Sequence, residues 1–267
     1  MLRKNYNSFF ILLLLTGATV FTSCNKKDQK VPDDISNPLT PDENGYLAAT
    51  KGMKLTYTIT EGDGLGTAYI WHVTEVKDSS DYKLVASELL FDGGMTVYAQ
   101  GKYNKEKTIS IGSNMPPLYY QLLEEMKQTF NTSFTHMERP KTMVIPHKDQ
   151  LNVTVSGKIT VGEWHGTGND EDTEIQQDYS VEHSPTIIDS LGRIQIGLGT
   201  FDCVRIRYTS TAHNKMVITA SNSSPQTFEG YFASEVTVWI AIGLGAIKSM
   251  DVSPAGISVT ELTKIEK

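Results

Sequence analysis

Between Met53 and Thr60, apolar and polar side chains alternate one for one. Met53, Leu55, Tyr57 and Ile59 interleave with Lys54, Thr56, Thr58 and Thr60. Only an extended chain sorts such a period of two onto separate faces, so the stretch reads as a strand with one side buried. The pattern recurs. A glycine-rich turn at 61–66 leads into 67–76, where Tyr69, Trp71 and Val73 share one parity. Asp78-Ser79-Ser80-Asp81 reads as a turn before 82–90, and Asp92-Gly93-Gly94 is a hairpin signal before 95–103. A strand at 108–111 completes an antiparallel meander.

Further strands are expected at 141–145, 151–156, 158–163, 175–181, 193–196, 201–208, 216–220, 230–240, 246–252 and 256–265, with 166–174 a polar loop. One segment has a different period. After Pro116-Pro117, the apolar residues Tyr119, Leu122, Leu123, Met126 and Phe130 recur at helical spacing, which predicts a helix over Pro117–Phe130. The expected fold is mainly β: a curved antiparallel sheet or half-barrel of about fourteen short strands, with that helix at one end or on its concave side. It occupies residues 46–267, as one unit or as two halves dividing near residue 140.

The N-terminus has other work. Arg3 and Lys4 precede an apolar run from Phe9 to Phe21, followed by Thr22-Ser23-Cys24. These are the parts of a secretory signal, and a helix over so short a run rises only about 20 Å, too little for a hydrocarbon core of about 30 Å. Phe21-Thr22-Ser23-Cys24 resembles the lipobox of bacterial lipoproteins, with Phe where Leu is commonest. The resemblance implies that residues 1–23 are a signal peptide and that Cys24 is lipidated. Two or three acyl chains would hold the protein stably on a membrane, where one holds only reversibly. The expected location is the outer membrane, with the periplasmic and surface leaflets both open. Asn25-Lys26-Lys27-Asp28 resembles the charged signals that send some lipoproteins to the surface, with fewer acids. Residues 25–45 carry three prolines, many charges and few large apolar groups, the composition of a flexible tether.

Loss of the signal removes Arg3 and Lys4 and no acid, leaving 22 cations against 31 carboxylates, a net charge of −9. No basic run stands out, so nucleic acid is not expected as a partner. The chain's other cysteine, Cys203, lies in the strand-like run 201–208 and reads as a small buried residue.

Motifs for chemistry are missing. The carboxylates of Asp170-Glu171-Asp172-Thr173-Glu174 suit calcium, but an EF-hand loop needs Gly and Glu where Ile175 and Val181 stand. His72, His136, His147, His165, His183 and His213 show no His-Glu-x-x-His and no i,i+4 pairing, so no metal or cofactor is expected. Gly-x-Ser-x-Gly is absent, and the reading is of a non-catalytic protein. Tyr57, Tyr69, Trp71 and Tyr98 are the candidate ligand-binding residues. Core packing accounts for them, and the alternative is an apolar concavity for an acyl chain or other hydrophobic small molecule. A surface adhesion, glycan-binding or assembly module is the competing reading, and a hydrolase with an unrecognised site the third.

Near the C-terminus, Trp239-Ile240-Ala241-Ile242-Gly243-Leu244-Gly245-Ala246-Ile247-Lys248 reads as strand, glycine turn, strand. About 35 residues upstream stands Gly199-Thr200-Phe201-Asp202-Cys203-Val204-Arg205-Ile206. Together they resemble a motif pair of TapB-like envelope proteins, and the implied architecture is similar to the open half-barrel of the LolA and LolB carriers. Trp239 is then expected to fill a sheet face, Gly243 and Gly245 to make the turn, and Lys248 to end exposed; no catalytic residue comes with the resemblance. The anchor has its own test. Wild-type protein labelled with palmitate in a Gram-negative host should incorporate it, and Cys24→Ala should not; label retained by the variant sinks the lipidation reading.

Overall fold

The computed structural model describes residues 45–62, 64–91, 96–112, 133–148, 151–170, 173–221 and 223–267; the signal peptide, Cys24, residues 25–44 of the tether and the helix expected at Pro117–Phe130 lie outside them. Alternation becomes pairing from the first strand. β1 (Lys54–Glu61), β2 (Ala68–Asp78), β3 (Lys83–Phe91), β4 (Thr96–Tyr103) and β5 (Lys107–Gly112) form the expected meander. β6 (Ser133–Glu138), β7 (Lys141–Pro146), β8 (Thr154–Ser156), β9 (Ile159–Asp170), β10 (Thr173–His183) and β11 (Thr186–Ile196) follow. β12 (Gly199–Ala220), β13 (Gln226–Ala241), β14 (Gly245–Ser253) and β15 (Gly256–Glu266) complete the chain. All fifteen belong to one antiparallel sheet, in the order β6-β9-β10-β12-β13-β14-β15-β1-β2-β3-β4-β5-β7, with β11 against β12 and β8 against β11. β5 pairs with β7, so hydrogen bonding runs across residue 140. The described residues contain no helix.

Several stretches depart from the sequence expectation: β6 and Thr186–Gly192 of β11 are strands where none is expected, β8 begins at Thr154 rather than at residue 151, and two expected elements are longer than their patterns. Residues 201–208 and 216–220 are the ends of one strand, because Thr209–Lys215 between them is also extended. The polar stretch Gly166–Asp170 is the end of β9 rather than a loop. Both runs are held by ladders on their two edges: Thr209–Lys215 lies against β13, with β10 alongside from Ser210, and Gly166 pairs with Gln177 of β10 and Phe134 of β6. Pairing on both sides satisfies the backbone and overrides weak local preference.

β12 is the longest element, 22 residues or roughly 70 Å at strand rise. One edge carries β13 from Cys203 to Ile218. The other carries two strands end to end: β11 along Gly199–Arg207 and β10 along Ser210–Ala220. The break between them is Ser184-Pro185. Proline has no N–H to give the ladder, so the regular pairing is interrupted there. Ser184 closes the gap: its N–H donates to the Thr209 carbonyl at 2.9 Å, and its hydroxyl accepts the Thr209 N–H at 2.8 Å.

The apolar faces gather into two clusters. One joins Leu55, Tyr57, Val73, Val85 and Tyr103 to Ile196, Cys203, Ile247 and Leu262. The other joins Tyr46 to Ile145 of β7, Val155 of β8, Ile188 and Leu191 of β11, and Val204, Ile206 and Ile240. β7 and β8 are thus brought together although no ladder joins them among the described residues.

The chain enters this sheet through a fixed point. Gly45 accepts the Gly243 N–H at 2.7 Å, beside the β13–β14 turn. Its φ is +56°, and a Cβ there would stand 2.6 Å from Thr108 Oγ1, so only glycine fits. The Tyr46 N–H donates to Thr108 Oγ1 at 3.0 Å, and that hydroxyl lies 2.8 Å from His147 Nε2. Burial lowers the His147 pKa, while its bond to the Lys105 backbone opposes the shift. A neutral ring donating to Lys105 through Nδ1 leaves Nε2 to accept the Thr108 proton. Thr108→Val leaves both partners unpaired and should cost about 1–3 kcal/mol in urea unfolding, with Thr108→Ser close to wild type. A valine variant as stable as wild type would show that the clamp carries no weight.

Candidate functional site

Register decides which aromatic candidates meet. Tyr57, Tyr69 and Phe91 lie abreast across β1, β2 and β3. The two tyrosine rings stack at 5.1 Å between centroids and 13° between planes, and Phe91 is tilted against Tyr69 at 5.6 Å. Leu55, Trp71 and Leu89 form the next row on the same face. Tyr98 belongs to the opposite face: it pairs with Glu88, which pairs with His72, and it is 75 % exposed. The Tyr57 hydroxyl donates to the Ala246 carbonyl at 2.7 Å, and burial pushes the pKa values of Tyr57 and Tyr69 upward. The space beside each ring in this row is occupied by the next ring.

The C-terminal motif is a structural joint. Gly243 and Gly245 have φ of +73° and +84°, the left-handed region the turn requires. A Cβ at Gly245 would meet nothing closer than 3.8 Å, so conformation rather than space selects glycine there. Trp239 is half-buried opposite Lys248. Lys248 does not end exposed as expected. Its side chain is 19 % exposed, with Nζ 2.6 Å from Glu261 Oε1 and 5.9 Å from the Trp239 ring. Cys203 is buried beside this joint, and burial with Asp202 nearby pushes its thiol up to about 12, far from a reactive thiolate.

The junction at Ser184-Pro185 collects the most unusual chemistry. Lys141, first residue of β7, is 1 % exposed. Its Nζ sits 3.8 Å from the centroid of the Tyr208 ring and 3.4 Å from His183 Nδ1. His183, last residue of β10, is 2 % exposed and packs on Tyr208 at 4.6 Å. Burial pushes Lys141 down to about 8; burial, with the lysine's charge, pushes His183 down to about 3. The imidazole is therefore neutral near pH 7 and accepts a lysine N–H, while the ring face of Tyr208 takes the charge. Beside the junction, Asp189 is the extra residue of a bulge in β11. The bulge aims its carboxylate between Arg205 and Arg207, at 2.9 Å from each Nε. The sequence carries a signal for this cluster. Lys141 shares strand parity with Met143 and Ile145, and His183 with Val181 and Ile175, so each is a polar group on an apolar stripe. The amine and imidazole are both sealed from solvent within the junction.

Other histidines go to separate pairs: His72 with Glu88 at 2.9 Å, His165 with Asp178 at 2.6 Å and His213 with Glu229 at 2.9 Å. No group of three metal-ligating side chains forms among the described residues.

The remaining candidate is an edge. β14 pairs with β13 only from Glu235 onward, so along Gln226–Ser234 no described strand lies on the side away from β12. Tyr231 and Phe232, 70 % and 57 % exposed, project from opposite faces of this edge. Tyr231 stacks on His213 at 4.3 Å, and its hydroxyl lies 3.3 Å from Glu229, whose carboxyl the His213 hydrogen bond holds below its ordinary pKa.

The Lys141 cluster sets a pH dependence. Between about pH 8 and 10.5 the unfolded chain holds a proton at Lys141 that the folded chain has lost, so stability rises with pH through that window. For His183 the window is about pH 3 to 6.5, and stability falls as pH drops through it. Lys141→Met should remove the alkaline rise, a difference on the order of 3 kcal/mol in stability curves compared with wild type. Parallel curves for the two proteins above pH 8 would contradict the assignment.

No protein-family model matches the chain, and no curated protein matches it. Two solved structures do. A putative lipoprotein from Parabacteroides distasonis ATCC 8503 superposes with a TM-score of 0.51 at 12 % identity, over 84 % of this chain and all of that one. A putative exported protein with a YmcC-like fold from Bacteroides fragilis NCTC 9343 gives 0.50, again at 12 % identity, with the same coverage of each chain. At that identity the likeness carries the fold: the chain shares the architecture of these two proteins.

Proposed function

We propose that this chain is a non-catalytic, lipid-anchored protein of the cell envelope, working at the outer membrane as an assembly module. The observation that carries the reading is the β12–β13 ribbon. At its base, Gly45 is bonded beside the β13–β14 turn, where the chain leaves the tether. At its far end, the stretch Gln226–Ser234 offers a strand edge that pairs with no further strand among the described residues and carries two exposed aromatic side chains. An unpaired edge is a ready template for another strand, and proteins usually blunt it with lysine, proline or a bulge. This one has none of the three, with Glu229 its single charge.

The secretory signal and lipobox-like sequence support the anchoring, and the likeness in fold to a putative lipoprotein and a putative exported protein is consistent with it. The apolar-ligand reading loses ground, because Tyr57 and Tyr69 are packed against each other and Tyr98 faces away from them. Nothing specific favours a glycan.

The test is the mass of the anchored protein in mild detergent. On native gels, wild-type protein should run as a complex, and Tyr231→Ser/Phe232→Ser should run as a single anchored chain with unchanged far-ultraviolet circular dichroism. A wild-type protein that runs alone defeats the assembly reading.

A further inference from the structure

We infer that the strand paired to the β13 edge is the same edge of a second copy, forming an antiparallel twofold centred on Gly230. This rests on the assembly reading above and names its partner. The stretch Gln226-Thr227-Phe228-Glu229-Gly230-Tyr231-Phe232-Ala233-Ser234 complements itself about its middle. In antiparallel register through Gly230, Phe228 stands opposite the second copy's Phe232, and Glu229 opposite its Tyr231. Alternation places the phenylalanines on one face and the Glu–Tyr pairs on the other. No charge meets a like charge directly. The Tyr231 hydroxyl already lies 3.3 Å from Glu229 within one chain, so across the junction the same two groups are chemically matched.

The centre is suited to the contact. Residues on a twofold axis face their own copies, and Gly230 brings no side chain there. The Phe232 ring lies 3.3 Å from the point where a Cβ of Gly230 would stand, covering the half-buried glycine backbone. The paired edge is nine residues long, about 30 Å of strand.

The anchors permit the geometry. Gly243, where Gly45 is bonded, stands 13 residues from Gly230, about 40 Å along the strand, so the two chain entrances would lie about 80 Å apart. The 20 residues from Asn25 to Asn44 reach about 70 Å at full extension. Both lipids can therefore enter one leaflet with the paired ribbons lying along it.

The experiment is cysteine cross-linking of the full-length protein in its own membranes, where Cys24 is expected to be acylated and Cys203 is buried. Directly opposed residues of an antiparallel pair have Cα atoms about 4.5–5.5 Å apart, within disulfide range. Gly230→Cys should give a band of twice the chain mass on non-reducing gels after mild oxidation. Gly197→Cys, exposed at the opposite end of β12, should not. Adding Phe232→Lys to Gly230→Cys should reduce the band at least tenfold while the protein stays anchored. A cross-link to a different protein would overturn the second copy and leave the assembly reading standing. A complex on native gels with no Gly230 cross-link would overturn the register and the proposal. No complex at all would remove the assembly reading beneath it.

Discussion

The structure depends on the pairing of β12 along its whole length. A 22-residue strand exposes donors and acceptors on both edges, and each must find a partner or water. One long strand, β13, covers most of one side. The other side takes two strands joined at Ser184-Pro185, and that junction sets the rest of the architecture. β9 and β6 build outward from β10, while β8 builds outward from β11 toward β7. A proline without an N–H and a serine that supplies both a backbone and a side-chain bond make the junction possible.

A break in a ladder is a weak place, and the molecule fills it with polar groups of strict geometry. Lys141 reaches it from β7, His183 from β10 and Tyr208 from β12. The cluster is destabilising at neutral pH, because a buried ammonium lacks a carboxylate among its described contacts. A leucine or methionine at position 141 would avoid that penalty. The ion pairs of Asp189 with Arg205 and Arg207 sit at the end of the β11 ladder and fasten the same place.

Much of this was legible in the sequence. Strict alternation from Met53 and the turn signals after it located β1 to β5, and the strand–glycine–strand motif located the joint of β13 and β14. What escaped is the backbone that neighbours hold in place. Thr209-Ser210-Thr211-Ala212-His213-Asn214-Lys215 has no apolar alternation, and its extended form comes from β13 and β10 on either side. Gly166-Thr167-Gly168-Asn169-Asp170 is held in the same way by β10, with β6 beside its first residues. The aromatic candidates divided by parity: positions 57, 69 and 71 share a face because register aligns them, and position 98 falls on the other side. Lys248 looked like a surface residue because its partner, Glu261, is a strand away.

The continuous ribbon links anchor to edge, so its length is the quantity that matters most. With Cys203→Ser as background and the lipid on Cys24, dyes attached at Gly197→Cys and Ser223→Cys report that length by single-molecule energy transfer. One unbroken strand over Gly199–Ala220 gives a separation of about 60–70 Å, allowing for twist. Two short strands folded back on each other at Thr209–Lys215 would bring the dyes within about 20 Å, and such a value would contradict the account.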